Sequence, residues 1–108
     1  ENVGRSLIGR TRKAIDMHLE IVTPEASLVS GEVESVTVPG ANGPFQMLNN
    51  HAAIVSTLIA GQVKFRGNPT IAEGFENKFD KDKDGKWVLE INSGTVQMAD
   101  NKIIVLAD

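Results

Sequence analysis

The stretch from Ser30 to Gly61, SGEVESVTVPGANGPFQMLNNHAAIVSTLIAG, contains the clearest indications of the fold. Its valine-rich first part ends at Pro39-Gly40, where proline lacks an amide donor and glycine tolerates a positive φ. Asn42-Gly43 is typical of a tight reversal within the turn at 41–44. We therefore predict a strand and a turn, followed by a short strand from Phe45 to Leu48, a polar corner at 49–51 and a strand from Ile54 to Ile59.

The valines before this turn change phase within one strand. Val33 lies in one phase, whereas Val36 and Val38 lie in the other. This change indicates a β-bulge or a strand that moves between sheets, and a strand buried on both faces also fits it. Upstream, we expect residues 26–29 to form a short apolar return strand and Gly31 to let the backbone bend before the strand that begins near Glu32.

The flanking segments also alternate apolar and polar residues, as half-buried strands do. Such segments occur at 18–23, 62–66 and 87–91. Residues 95–99 and 102–106 are predicted to form a final pair of strands around Asp100-Asn101, and residues 103–106 are apolar in both phases, which predicts a central strand. Residues 71–79 fit strand and helix spacing alike, and Gly74 favours a strand because glycine destabilises helices. These eight or nine short strands, without a long helical segment, predict an all-β domain built as a flattened β-sandwich or barrel.

Length and composition restrict the classes of protein to which the chain can belong. The 108 residues suffice for one domain, and the net charge of −3 argues against a nucleic-acid partner. The chain has no cysteine, which excludes disulfides and thiolate chemistry. No apolar run approaches the roughly 20 residues that span a bilayer. We therefore expect membrane contact only through a partner.

Residues 1–16 differ in charge from the rest of the chain. They hold four basic and two acidic residues, a charge of +2, whereas residues 17–108 hold seven basic and twelve acidic residues, a charge of −5. Met17 opens the first strand-like segment. We interpret residues 1–16 as an expression leader or a native extension and residues 17–108 as the domain.

The sequence DKDKDG at 80–85 resembles the start of a calcium loop, with carboxylates at the first, third and fifth positions and glycine at the sixth. The twelfth position holds Ile91 instead of the bidentate glutamate. Lys81 and Lys83 also offset the negative charge. We interpret the segment as a solvated hairpin tip, with weak cation binding as the alternative.

No other pattern predicts an active site. Gly40 and Gly43 suggest a phosphate loop, but no Lys-Ser or Lys-Thr pair follows them, so turn formation explains them better. His51 has no nucleophile or acid partner in a recognisable arrangement, and a packing or hydrogen-bonding role is simpler. We therefore expect no catalytic residue, no cofactor and no metal.

Four motifs, in shared order and spacing, resemble the N-terminal domain of the epsilon subunit of F-type ATP synthases. They are IVTPE at 21–25, GEVESVTVPG at 31–40, the series of Gly43, Phe45 and residues 48–52, and NKIIVLAD at 101–108. The similarity extends from about His18 to Asp108. It implies a flattened β-sandwich of about ten strands, without an active site of its own, in the central stalk of the enzyme complex.

The resemblance also implies partners and site residues. The expected partners are the gamma subunit and the c ring, to which the domain couples gamma, without nucleic acid. The gamma interface would include Thr23, His51 and Ala52. The loop facing the c ring would contain Asn42, Gly43, Pro44, Phe45, Gln46, Asn49 and Asn50.

Several positions depart from the family pattern. Gly43-Pro44-Phe45-Gln46 replaces a Gly-Glu-Phe-Gly turn and so lacks an acidic contact, and residues 48–53 read LNNHAA where LPGHAP is usual. The segment at 67–86 is longer than usual. Many members continue into an ATP-sensing, inhibitory helical hairpin after the motif at which this sequence stops, so we expect coupling without hairpin inhibition.

The resemblance implies a peripheral position on the cytoplasmic face of a bacterial inner membrane, or on the matrix or stroma face in an organelle. An independent β-sandwich binding module is the alternative function. Binding of a glycan or peptide would favour the module, whereas a stoichiometric complex with gamma would favour the rotor subunit.

Overall fold

The computed structural model of the chain describes residues 17–49 and 51–108, and the predicted leader at 1–16 lies outside these ranges. Within them, the chain forms ten β-strands, one 3₁₀ turn at Glu76–Lys78 and no α-helix. The strands are β1 (Met17–Val22), β2 (Ser27–Gly40), β3 (Gly43–Met47), β4 (Ile54–Leu58), β5 (Gly61–Gly67), β6 (Thr70–Ile71), β7 (Phe79–Lys81), β8 (Trp87–Ile91), β9 (Gly94–Ala99) and β10 (Lys102–Ala107).

β2 is the strand around which the others are arranged. Val29 and Ser30 pair with β1 and also with β6, so β1 and β6 lie on opposite edges of its first half. Val36 and Thr37 pair with β3 and also with β5, so β3 and β5 lie on opposite edges of its second half. This 14-residue strand therefore passes from one layer of the sandwich to the other.

The phase change among the valines corresponds to a β-bulge, as the sequence predicts. The register between β2 and β5 shifts between Val33 and Ser35, opposite Gly67 and Arg66. Val33, Ser35, Val36 and Val38 are all buried, so both faces of β2 are covered where it changes layers. A bulge adds twist and lets one strand serve both layers.

The remaining pairings complete two layers that pack together as a flattened β-sandwich, the predicted fold class. One layer has the order β1, β10, β9, β4, with β1 and β10 parallel and the other pairs antiparallel. The other layer contains β3, the second half of β2, β5, β8 and β7. β4 reaches β2 at the single pair Gly40–Leu58. β10 pairs on both edges, which confirms the predicted central strand.

The core between the layers is aliphatic, with one aromatic series at its β5–β8 side. Phe65 is fully buried and meets Phe79 edge to face, with ring centroids 6.1 Å apart. Phe79 meets Trp87 in the same way at 6.4 Å, and the Lys81 ammonium lies 4.5 Å from the centre of the Trp87 ring. These contacts fix β7 and β8 against β5.

Three sequence predictions are wrong in detail. The return at 26–29 and the strand after Gly31 form one continuous strand, because the residues flanking Gly31 remain paired with β1. Gly43 and Pro44 belong to β3, so the turn consists of Ala41 and Asn42 alone, and Leu48 lies outside β3.

The strand predicted at 71–79 is also wrong over most of its length. β6 ends at Ile71, a turn follows, and a 3₁₀ turn precedes β7. Gly74 has a φ of 90°, which a regular strand does not contain. The apolar spacing arises instead because Ile71, Phe75 and Phe79 all reach the core from an irregular backbone.

Candidate functional site

The solvent side of the β1–β10–β9–β4 layer has an apolar surface, which we call the outer face. Register places Leu106 beside Thr95 and Thr95 beside Thr57 in one row. In the next row, Gln97 lies between Val55 of β4 and Ile104 of β10. The outer face comprises Val22, Val55, Thr57, Thr95, Gln97, Ile104 and Leu106, and the register also places His18, Glu20 and Lys102 on this side of the layer. Val55 is 75% exposed and Leu106 is 51% exposed.

None of these seven side chains is charged, and Glu20 and Lys102 border them on the same side of the layer. Glu20 lies beside Ile104 in the register of β1 and β10, and the His18 imidazole on the same strand lies 3.2 Å from the Glu20 carboxylate. A strand with apolar residues in both phases usually has two covered faces. The alternate residues of β10 face solvent instead, which favours a partner on this side.

Thr23 lies at one end of the outer face, where β1 stops. Its hydroxyl donates to the Ala26 carbonyl at 3.3 Å and accepts a hydrogen bond from the Glu25 amide at 3.3 Å. Thr23 also exchanges two backbone hydrogen bonds with Ala26. A cleft of about 570 Å³ adjoins it, lined also by Thr57, Leu106 and neighbouring residues of β9 and β10.

His51 lies at the opposite end, beside the β9–β10 turn. The His51 amide donates to the Leu48 carbonyl at 3.0 Å, and the imidazole Nδ1 donates to the Ala52 carbonyl at 2.7 Å. Because a carbonyl only accepts, this hydrogen bond places a proton on Nδ1. A cleft of about 250 Å³ adjoins the ring and is lined by His51, Ala53, Ala99, Asp100 and Asn101.

Thr23 and His51 are therefore not adjacent, although both were predicted for the gamma interface. They border the same outer face from its two ends. The length of β10 separates them, about 17 Å at the usual rise of a strand. Ala52 is exposed next to His51. A partner that touches all three residues has to cover the face between them.

The residues predicted to face the c ring are divided by the structure. Asn42 is exposed at the β2–β3 turn, which is held by a 3.0 Å hydrogen bond from the Ala41 amide to the Thr57 carbonyl. Gly43 through Gln46 belong to β3, where Pro44 and Gln46 are exposed but Phe45 packs against the core. Asn49 follows the far end of β3, and its Oδ1 is buried without a partner among the described residues. Asn50 lies outside the described residues.

In the charged tip at 80–86, a side chain of the tip accepts hydrogen bonds from the tip's own backbone amides. Asp82 Oδ1 accepts the Lys86 amide at 3.0 Å and the Asp84 amide at 2.9 Å. The Lys86 hydrogen bond is the largest influence that holds the pKa of this carboxyl below its ordinary value, and the Lys64 ammonium, 3.9 Å from Oδ2, acts in the same direction. This carboxylate therefore closes a turn.

Within residues 17–49 and 51–108, no three His, Cys, Asp or Glu side chains are grouped to hold a metal ion. Gly40 and Gly43 pair with each other across the β2–β3 hairpin. No helix in the described part of the chain is long and apolar enough to cross a membrane. The outer face is consequently the surface with the clearest physical reason to bind another molecule.

Sequence reasoning did not identify Val55, Ile104 or Leu106 as site residues. Each belongs to an apolar run, and apolar side chains in strands usually belong to the core. The available signal was the two-phase apolar pattern at 103–106, which predicted a central strand without revealing that one phase would be solvent-exposed. Register with β9 and β4 was needed to bring the three residues together.

Comparison with known families gives one consistent result. The family described as ATP synthase, Delta/Epsilon chain, beta-sandwich domain matches residues 16–108. The ATP synthase epsilon chains of Campylobacter curvus and Leptospira interrogans are each 36% identical to this chain over 92 residues. Each alignment covers 85% of this chain, with 60% of the Campylobacter and 61% of the Leptospira protein. The chain thus spans about 60% of the length of these relatives.

Solved structures show the same fold. A chain of the Tetrahymena thermophila mitochondrial ATP synthase central stalk and c ring aligns with a TM-score of 0.61 and 17% identity, over 84% of this chain and 62% of that one. A chain of the Euglena gracilis mitochondrial ATP synthase, from a structure with OSCP, F1 and the c ring, aligns with a TM-score of 0.64 and 16% identity. This alignment covers 85% of the present chain and 50% of the Euglena chain.

Proposed function

We propose, because this chain belongs to the β-sandwich family of ATP synthase delta and epsilon chains, that it is a noncatalytic central-stalk subunit of a proton-translocating F-type ATP synthase. In this role it couples the gamma subunit to the c ring. It contacts the membrane only through the complex, peripherally and on the cytoplasmic face of a bacterial inner membrane or the equivalent organelle face.

The outer face is the observation that carries this proposal. Its seven side chains are uncharged, Val55 is 75% exposed and Leu106 is 51% exposed, and Thr23 and His51 border its ends. A rotor subunit that turns with gamma needs an interface that resists torque. A stable specific interface buries about 800 Å² on each partner, an area that the face of a four-stranded layer offers more readily than a single loop. We assign gamma to the outer face.

The c ring is assigned to the β2–β3 hairpin and the corner after β3. Asn42, Pro44 and Gln46 are exposed there. The Ala41–Thr57 hydrogen bond anchors the hairpin to the end of β4, which belongs to the gamma-facing layer. A load on the hairpin is therefore transmitted directly to the sheet that holds gamma.

Co-purification with the gamma subunit of the same organism tests the function. We expect a stoichiometric complex that survives size-exclusion chromatography, and a further complex when the c ring is added. As a control, Asp84→Ala changes the distant charged tip and should leave the complex intact.

Failure of the folded chain to join gamma would contradict the rotor function. Binding of a glycan or a peptide in its place would favour the independent binding module.

A further inference from the structure

Among the described residues, the edge of β4 that faces away from β9 has backbone groups without a partner. The Thr57 carbonyl accepts a hydrogen bond from the Ala41 amide at 3.0 Å, and the Ile59 amide donates to the Pro39 carbonyl at 2.9 Å. The backbone groups of Thr57 and Ile59 therefore point toward β2 and away from β9. Backbone groups of alternate residues in a strand point to the same side. The N–H and C=O of Val55 therefore point to this edge, where no described residue pairs with them.

The other open edges among the described strands are protected against pairing. β3 contains Pro44, which has no amide hydrogen, and β6 has only two residues. β7 has three residues, with Asp80 and Lys81 both exposed. By contrast, the sequence at 52–61 contains neither a charge nor a proline. An exposed, uncharged edge strand promotes pairing with another chain, and proteins normally protect such edges.

We infer that the β4 edge binds an extended, uncharged strand of the gamma subunit, which adds to the β1–β10–β9–β4 layer next to the outer face. This inference rests on the proposed function and names the mode of contact. An extended peptide that adds to a sheet edge pairs with the exposed N–H and C=O groups through its own main chain. Because Val55 belongs to both the edge and the outer face, one partner can engage the two surfaces together.

Amide hydrogen exchange at Val55 tests the inference. In the isolated ¹⁵N-labelled chain, the Val55 amide should exchange rapidly. With the gamma subunit of the same organism bound, its exchange should slow by about tenfold or more. Ser56 is an internal reference, because its amide points to β9 and should be protected in both states.

A pair of variants measures the same contact by affinity. Val55→Pro removes the outward amide hydrogen, which an edge strand tolerates, whereas Val55→Thr keeps both that hydrogen and the β-branched shape. We expect Val55→Pro to bind gamma about tenfold more weakly than Val55→Thr, the effect of one lost hydrogen bond. Circular dichroism verifies that both variants fold.

The outcomes separate this inference from the proposed function. Gamma binding without slower exchange at Val55, or with equal affinity in two folded variants, overturns the inference alone. Protection of Val55 in the isolated chain with a dimer by sedimentation overturns it too, because a second copy then occupies the edge. Absence of gamma binding by the wild-type chain contradicts both. If Val55→Pro does not fold, the exchange measurement on the wild-type chain decides.

Discussion

Replacing Gly67 by alanine should destabilise the domain through the bulge that lets β2 cross between layers. Gly67 has a φ of 143°, and a Cβ added there would lie 2.8 Å from the Val33 Cα and 2.9 Å from the Glu32 carbonyl oxygen. Both neighbours are backbone atoms of β2, which cannot move aside as the end of a flexible side chain can. We expect the free energy of unfolding to fall by about 1–2 kcal/mol because of the backbone conformation and by about 1–3 kcal/mol more because of the close contact.

Gly74→Ala is the matched control, because Gly74 has a φ of 90° but nothing within 4 Å of an added Cβ. The Gly74→Ala variant should lose only the free energy that comes from the backbone conformation, about 1–2 kcal/mol. Urea unfolding followed by the fluorescence of the single tryptophan, Trp87, measures both losses. If Gly67→Ala is no less stable than Gly74→Ala, the close packing of β5 against the bulge is not what requires glycine at position 67.

Two further predictions concern stability. Phe65→Ala should lower the free energy of unfolding by about 3–5 kcal/mol, because it empties a fully buried site and removes the ring contact with Phe79, and the same urea experiment measures it. Asp82→Asn should be less stable than the wild type at neutral pH, since the depressed pKa of Asp82 means that folding favours the ionised form. This difference should disappear as pH falls through the lowered pKa, which thermal unfolding across the acid range would detect; a constant difference would contradict the assignment.

The sequence was sufficient to predict the strands with regular alternation. β1, β5 and β8 follow from apolar residues at every second position, β9 and β10 follow from the segments on either side of Asp100-Asn101, and the bulge follows from the valine phase change. Both signals are local, because a strand with one buried face has to alternate. Asp100-Asn101 also turns as expected, with φ values of 53° and 61°, in a region that Asn and Asp tolerate better than most residues.

The errors arose where the structure depends on distant contacts. The sequence indicates a bend at Gly31, but pairing with β1 keeps β2 continuous there. Residues 72–78 wrap over the edge of β2, where the Ala72 amide donates to the Leu28 carbonyl at 2.8 Å and Lys78 lies 3.6 Å from Glu25. No local pattern encodes these contacts. The sequence did not predict the outer face either, because its residues come from separate strands that only the fold brings together.

The assignment of gamma to the outer face is tested most directly by two leucines with equal exposure. Leu106 and Leu48 are each 51% exposed, but Leu106 is on the outer face and Leu48 is in the corner after β3. Titration of the gamma subunit with folded Leu106→Glu and Leu48→Glu compares them. We predict that Leu106→Glu weakens binding by about 30-fold or more, because an unpaired charge enters a buried surface, while Leu48→Glu changes the affinity less than about threefold. Equal affinity of both variants for gamma would contradict the assignment.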